Sequence, residues 1–257
     1  MSSEYESIAC DVQDGVARIT LNRPPLNILN VAMMKEINSA LESLESRDDA
    51  KLLVIDHEGK LFSAGVDIKD HTADKVDEMI DVFHRIFRLL DALELPSLAV
   101  VKGAALGAGC ELATFCDMVI ASEKASFGQP EIKVGVFPPI AAVVLPHLIG
   151  RNRALEMMLT GEVIGAEEAE RIGLINRVFP TEGFAEKVEE FIAKLTSMSA
   201  PVLKLAKRAV DRALYVNVDE AISRAEELYL GDLMQTEDVH EGLAAFMEKR
   251  KPEWKNK

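Results

Sequence analysis

The sequence predicts an α/β fold in which parallel strands alternate with helices, followed by a helical C-terminal segment. Three observations predict it. Short apolar runs of buried-strand length recur between longer stretches with helical spacing, the pattern of strand–helix units with a parallel sheet. Two Gly/Ala-rich segments follow such runs directly. After about Thr181 the strand-like runs stop and successive helical patterns take over. No Gly/Ser/Pro-rich linker or low-complexity block interrupts the chain, so residues 1–195 are read as the α/β core and 196–257 as the helical segment.

Each element has a local reason. Val16–Leu21 alternates and is rich in β-formers, which predicts a strand. Asn22-Arg23-Pro24-Pro25 ends it, because proline offers no N–H to a ladder. Val31–Ser46 places Met34, Ile37, Leu41 and Leu44 on one helical face. Leu52–Asp56 is a buried-strand run. Asp74–Leu93 carries a helical stripe through Met79, Val82, Phe83, Ile86, Phe87 and Leu90. Leu98–Lys102 and Met118–Ala121 are two further strand runs. Gly183–Met198, Pro201–Tyr215, Val218–Leu233 and Glu237–Lys249 read as helices. Leu203, Ala206, Val210 and Leu214 form one apolar stripe, and Leu228, Leu233, Leu243 and Phe246 continue the apolar character. Such faces pack on the body or on another subunit.

Composition excludes several classes. The 257 residues hold 29 Lys and Arg against 43 Asp and Glu, a formal charge of −14. A chain this acidic repels phosphate backbones, which argues against a nucleic-acid partner. No apolar run reaches the roughly 18 residues of a membrane span. Met1–Glu6 is polar and lacks the basic and apolar regions of a secretory signal. Cys10, Cys110 and Cys116 are odd in number and show no CxxC spacing, which reads as reduced thiols and a cytoplasmic location. Gly107-Ala108-Gly109 starts like a dinucleotide fingerprint, but Leu112 stands at the third glycine position. There is no Walker A run and no GxSxG elbow. His57, His71, His84, His147 and His240 have no ligand spacing, so they read as packing or surface residues and no metal site is expected.

Two segments carry chemistry. Leu61–Ile68 and Gly103–Leu112 each follow a strand run and are rich in small residues, which let a ligand approach the main chain. Where the second opens a helix, its first N–H groups lack intrahelical partners and carry partial positive charge. Two such groups aimed at one point make an oxyanion hole. The same residues also suit ordinary strand-to-helix turns. Glu111 lies inside an apolar stretch and Glu131 beside Pro130 and Ile132. Such carboxylates are either paired structurally or kept for proton transfer, with pKa raised by desolvation.

The segments Phe62–Lys69, Gly103–Asp117 and Phe127–Gly135 resemble the crotonase (enoyl-CoA hydratase/isomerase) superfamily. Leu21-Asn22-Arg23-Pro24, Leu159-Thr160-Gly161, Ala166 through Ile175, and Glu241 through Arg250 are similar to the same pattern, in order along nearly the whole chain. The resemblance implies a spiral of ββα repeats with a C-terminal trimerisation segment, assembled as a homotrimer or a dimer of trimers. It implies a hydratase acting on an α,β-unsaturated acyl-CoA thioester, with no cofactor because coenzyme A is part of the substrate. The thioester oxygen would sit between the N–H groups of Val66 and Ala108. Glu111 would position and activate water, and Glu131 would exchange the substrate-carbon proton. Ala64, Asp67 and Ile68 match adenine contacts, Leu26 the pantetheine side, and Lys69 a phosphate partner. Leu230 and Lys249 match positions that reach CoA, including from a neighbouring subunit. The basic tail Lys249–Lys257, with Lys69, is where the phosphates are expected.

One stretch departs from the family pattern. Gly135-Val136-Phe137-Pro138-Pro139-Ile140-Ala141-Ala142 puts Pro139 where a glycine usually offers its N–H to the catalytic water, and proline has none. This stretch, with Phe127–Phe137, Tyr229-Leu230 and Glu248 through Trp254, is similar to hydratases of cyclohexa-1,5-diene-1-carbonyl-CoA, which add water to the β-carbon and a proton to a remote ring carbon. Two other readings compete: a Δ3,Δ2-enoyl-CoA isomerase, and a non-catalytic acyl-CoA-binding protein.

Overall fold

A computed structural model of the chain describes residues 5–214 and 216–257. The chain opens with an antiparallel hairpin, β1 (Ile8–Gln13) and β2 (Val16–Leu21), joined at Asp14-Gly15, where both residues have positive φ. The sequence reading passed over β1. Its residues are small or polar at alternate positions, and an edge strand buries only one face. The Asp-Gly pair was the local signal for the hairpin.

Four further strands extend the sheet in parallel: β3 (Leu52–His57), β4 (Ser97–Val101), β6 (Met118–Ser122) and β9 (Arg177–Phe179). The order is β1-β2-β3-β4-β6-β9. A second sheet pairs β5 (Ala104–Leu106) in parallel with β7 (Ser126–Gly128), and β7 antiparallel with β8 (Val163–Gly165). The chain therefore steps from large sheet to small sheet to helix. β4 is followed by β5 and α3 (Ala108–Phe115), and β6 by β7, a 3₁₀ turn (Pro130–Val134) and α4 (Pro139–Ile149). After β3, Ser63 bridges to Ala105 at the small sheet and the chain enters α2 (Val76–Ala92). These are the expected ββα repeats.

Alternation in the strands divides the core. Leu53 and Ile55 of β3 face one cluster with α1 (Val31–Leu44) and α2. Leu52 and Val54 face the other with Leu98, Val100 and Ile120, under Phe184, Val188 and Ile192 of α7 (Phe184–Thr196). A parallel sheet covered on both faces explains why β3 and β4 read as unbroken apolar runs. Asn30 caps α1 by accepting the Met33 N–H at 3.0 Å. Phe87 of α2 meets Phe83 and Phe115 edge to face at 4.9 and 5.0 Å between centroids, tying α2 to α3.

The helices α5 (Arg151–Thr160) and α6 (Ala166–Arg171) complete the α/β part. Then come α8 (Ala200–Ala213), α9 (Val218–Glu227) and α10 (Glu237–Glu248). Helix α8 ends at Ala213, short of Tyr215, which lies outside the described residues. The helix read over Val218–Leu233 is a correction: α9 stops at Glu227 and gives way to a π turn (Leu228–Asp232) and a 3₁₀ turn (Leu233–Gln235). Gly231 weakens helix there, and Thr236 starts a new one by accepting the Val239 N–H.

Polar contacts dock this part on the body. Lys207 on α8 reaches Asp117 at 2.8 Å and the Leu95 carbonyl at 3.2 Å, and Arg208 pairs with Glu94. The tail is pinned in turn. Buried Asp238 accepts the Lys255 and Asn256 N–H groups at 2.6 and 3.0 Å, and Trp254 donates to the Ser197 carbonyl at 2.9 Å. Removing the Asp238 carboxylate strands two donors, and hydrogen bonds to charged acceptors are worth about 1.5–3 kcal/mol. Asp238→Ala is therefore expected to cost about 2–3 kcal/mol in chemical denaturation and to expose the tail to limited proteolysis.

Candidate active site

The site forms where β5 runs into α3 and meets the extended segment after β3. Leu29 donates to the Gly65 carbonyl at 2.9 Å and accepts from the Asp67 N–H at 3.1 Å. A residue that bonds both neighbours of Val66 leaves the N–H of Val66 itself directed to the opposite side. Ala108 is the first residue of α3, so its N–H has no acceptor in the helix and lies at the positive end of the helix dipole. The two segments are close: a methyl group built on Gly65 would stand 3.4 Å from the Leu106 carbonyl oxygen and 3.8 Å from the Ala108 nitrogen. Val66 and Ala108 both line a cavity of about 940 Å³.

Two glutamates line the same cavity. Glu111 sits in the first turn of α3 and is 2% exposed. Its Oε1 accepts the Ala141 N–H at 2.8 Å. Ala141 is the third residue of α4, so the start of one helix holds an acid carried on another. Burial pushes the Glu111 carboxyl up to about 8, against the Ala141 hydrogen bond and with help from the Glu131 charge. Glu131 lies in the 3₁₀ turn, and burial pushes it up to about 7. Its Oε2 is buried without a hydrogen-bond partner. Two acids raised into the neutral range in one cavity can hold opposite protonation states near pH 7–8. That arrangement suits general acid–base chemistry beside preorganised N–H donors.

Most of the residues singled out in the sequence meet here. Ala64, Asp67, Ile68 and Lys69 line the cavity, and Pro139 lines it at the start of α4. Leu26 does not line it, but its carbonyl accepts the Ala64 N–H at 3.0 Å and so backs that wall. Leu230, in the π turn, and Lys249, which ends α10, do not line the cavity of their own chain. Nor does the basic tail, whose Arg250 is tied to Glu241 and Glu248. Lys133 lines the cavity and was passed over, although it stands two residues after Glu131 on the same turn. Met79 and Phe83 were read only as core, because a helical stripe looks the same whether it faces side chains or a ligand space. His57 packs as expected. It is buried, its Nε2 accepts the Lys102 N–H at 3.0 Å, and burial lowers its pKa to about 4. Among the described residues no cluster of His, Cys, Asp and Glu is arranged to hold a metal, and no helix is long and apolar enough to cross a membrane.

The enoyl-CoA hydratase/isomerase family model matches residues 11–257. The chain belongs to this family. A probable enoyl-CoA hydratase of Rhizobium meliloti is 40% identical over 256 residues, covering 98% of this chain and 99% of that protein. The crotonyl-CoA hydratase of Syntrophomonas wolfei is 36% identical over 253 residues, covering 96% of this chain and 97% of that protein. Among solved structures, the enoyl-CoA hydratase from Bacillus anthracis superposes with a TM-score of 0.93 at 32% identity, over 98% of this chain and 100% of that one. Membership establishes the superfamily resemblance and the fold read from the sequence.

The raised pKa of Glu111 has a consequence for stability. A carboxyl held neutral by burial stabilises the fold fully below its unfolded pKa, and that contribution is lost as pH rises through the folded value of about 8. Glu111→Gln should therefore melt close to the wild type near pH 4 and at least about 2 °C above it at pH 9, by calorimetry.

Proposed function

We propose that this chain hydrates an α,β-unsaturated acyl-CoA thioester and needs no cofactor beyond the CoA carried by its substrate. The observation that supports this reading best is the conjunction of two raised carboxyls, Glu111 and Glu131, with the N–H groups of Val66 and Ala108 around one cavity. The thioester oxygen would accept from both N–H groups. As the water oxygen attacks the β-carbon, the π pair shifts onto that oxygen to give an enolate, which the two donors stabilise more than the starting carbonyl. One water O–H bond breaks, with its proton taken by the carboxylate pair. The pair returns a proton to carbon as the enolate collapses. Glu111, held by Ala141, would position the water, and Glu131, with one oxygen unpartnered, would exchange the carbon proton.

For the acyl group we propose a cyclic dienoyl thioester, cyclohexa-1,5-diene-1-carbonyl-CoA, in preference to a short straight chain. Pro139 on the cavity wall has no N–H to give a water, and Phe137 and Pro138 line the wall beside it. Such a wall suits a broad, flat acyl group and a displaced proton donor. The lack of that N–H also favours one rival, a Δ3,Δ2-enoyl-CoA isomerase, which moves a proton without adding water. We further propose that copies assemble as a trimer or dimer of trimers through α8–α10. Val210, Ile222, Leu243 and Phe246 are exposed there, and Leu230 and Lys249 would then serve a neighbouring cavity.

Four measurements test this reading. Glu131→Gln should lower kcat by about 10²–10⁴ with little change in KM, because proton transfer matters only in the transition state. Near-normal kcat would overturn this role for Glu131, thioester binding without turnover by the wild type would point to a binding protein, and products without oxygen from labelled water would point to the isomerase. The kcat/KM profile should be bell-shaped, with its maximum between about 7 and about 8, since one carboxyl must be ionised and the other protonated. The cyclic dienoyl thioester should turn over faster than crotonyl-CoA; the reverse order would overturn the ring assignment.

A further inference from the structure

The turn that carries Glu131 rests between two points of bare backbone. On one side is Gly107, the residue before α3. A methyl group built there would stand 2.5 Å from Oε1 of Glu131, closer than real Cβ atoms come, and 3.2 Å from its Cδ, so the carboxylate would have to shift. Gly107 is itself fixed. Its N–H donates to the Gly128 carbonyl at 2.9 Å, and its φ of +53° with ψ of −126° is a conformation that L side chains avoid. On the other side is Gly161, which ends α5 in the left-handed conformation at φ +63°. A methyl group there would stand 3.0 Å from Lys133 Cε, 3.1 Å from Ile132 Cγ2 and 3.3 Å from Pro130 Cα, all on the turn of Glu131.

We propose that Gly107 and Gly161 are positioning residues for Glu131: the first sets how near its carboxylate comes to the start of α3, and the second sets the seat of the turn behind it. The inference rests on Glu131 being the proton-exchanging group. Neither glycine touches the reacting atoms. Gly107 acts by having no side chain where the carboxylate must lie, beside the Ala108 N–H that polarises the thioester. Displacement of a catalytic group by about 1 Å costs on the order of a hundredfold in rate.

The test is a double-variant cycle on the full-length protein. Gly107→Ala should lower kcat about a hundredfold, with KM changed less than about threefold. Glu131→Asp withdraws the carboxylate by one methylene. Alone it should lower kcat, but added to Gly107→Ala it should raise kcat at least about tenfold over Gly107→Ala alone, because the shorter acid clears the new methyl group. A purely structural defect at Gly107 would not be relieved by shortening Glu131. Gly161→Ala, at a position where a left-handed residue is less costly, should show the same kcat-against-KM split at about a tenth of the effect. Denaturation of the same four proteins of the Gly107/Glu131 cycle gives a readout independent of turnover: the midpoint loss caused by Gly107→Ala should shrink when Glu131 is Asp. Unchanged kcat in Gly107→Ala, or no recovery in the double variant, would overturn the positioning role while Glu131→Gln still tests the hydratase reading. If Glu131→Gln itself keeps full kcat, the functional reading fails, and absence of coupling in denaturation would then overturn the steric seat as well.

Discussion

The structure depends on keeping two carboxylates out of water without pairing either with a cation. Glu111 and Glu131 are both raised by burial, and the fold supplies main-chain dipoles where a salt bridge would otherwise stand. The start of α4 holds Glu111 through Ala141, and the start of α3 places the Ala108 N–H on the same cavity wall. A lysine or arginine in contact would have lowered both acids out of the neutral range. The cationic side chains at this cavity, Lys69 and Lys133, are both exposed.

That arrangement requires helices to start at one place, which explains the two-sheet spiral. Each repeat crosses from the large sheet to the small sheet before its helix begins, so α3 and the 3₁₀ turn of Glu131 follow the neighbouring strands β5 and β7 directly. The small sheet thus sets the spacing between the turns that carry the acids. Its narrowness demands glycine: a methyl group on Gly128 would stand 2.8 Å from a Val163 methyl, and Gly107 and Gly161 bound the Glu131 turn. The acidic surface and the cavity are then separate matters. A net charge of −14 describes the whole chain, while the cavity presents N–H groups, two neutral-range acids and two lysines at its rim.

Legibility followed physical range. The buried strands β3, β4 and β6 and the helices α1 and α2 were readable because burial on both faces, or on one stripe, prints directly into a short window of residues. Strand β1 was not, since only Ile8 and Val12 of its six residues are strongly apolar and an edge strand buries little of itself. The break after Glu227 was not, because Leu228, Tyr229 and Leu230 keep the helix pattern while the backbone shifts to a π turn. At the site, Glu111 and Glu131 could be named from their segments and Val66 and Ala108 through the family resemblance, whereas Lys133 and the wall from Met79 to Phe83 could not. A side chain that lines a cavity and one that fills a core obey the same spacing.

The sequence by itself determined the alternation of strands and helices, the Gly/Ala segments that let a ligand approach the main chain, and the identity of the two acids. These are local properties, set by residue type and by spacing along one element. Only the tertiary structure decided that the two acids share one cavity, that Ala141 restrains Glu111, and that a bare Gly107 lies against the Glu131 carboxylate. It also decided that the basic tail folds onto Asp238, away from the cavity of its own chain. Those facts come from contacts between segments far apart in sequence, where burial and orientation arise from packing that no short window contains.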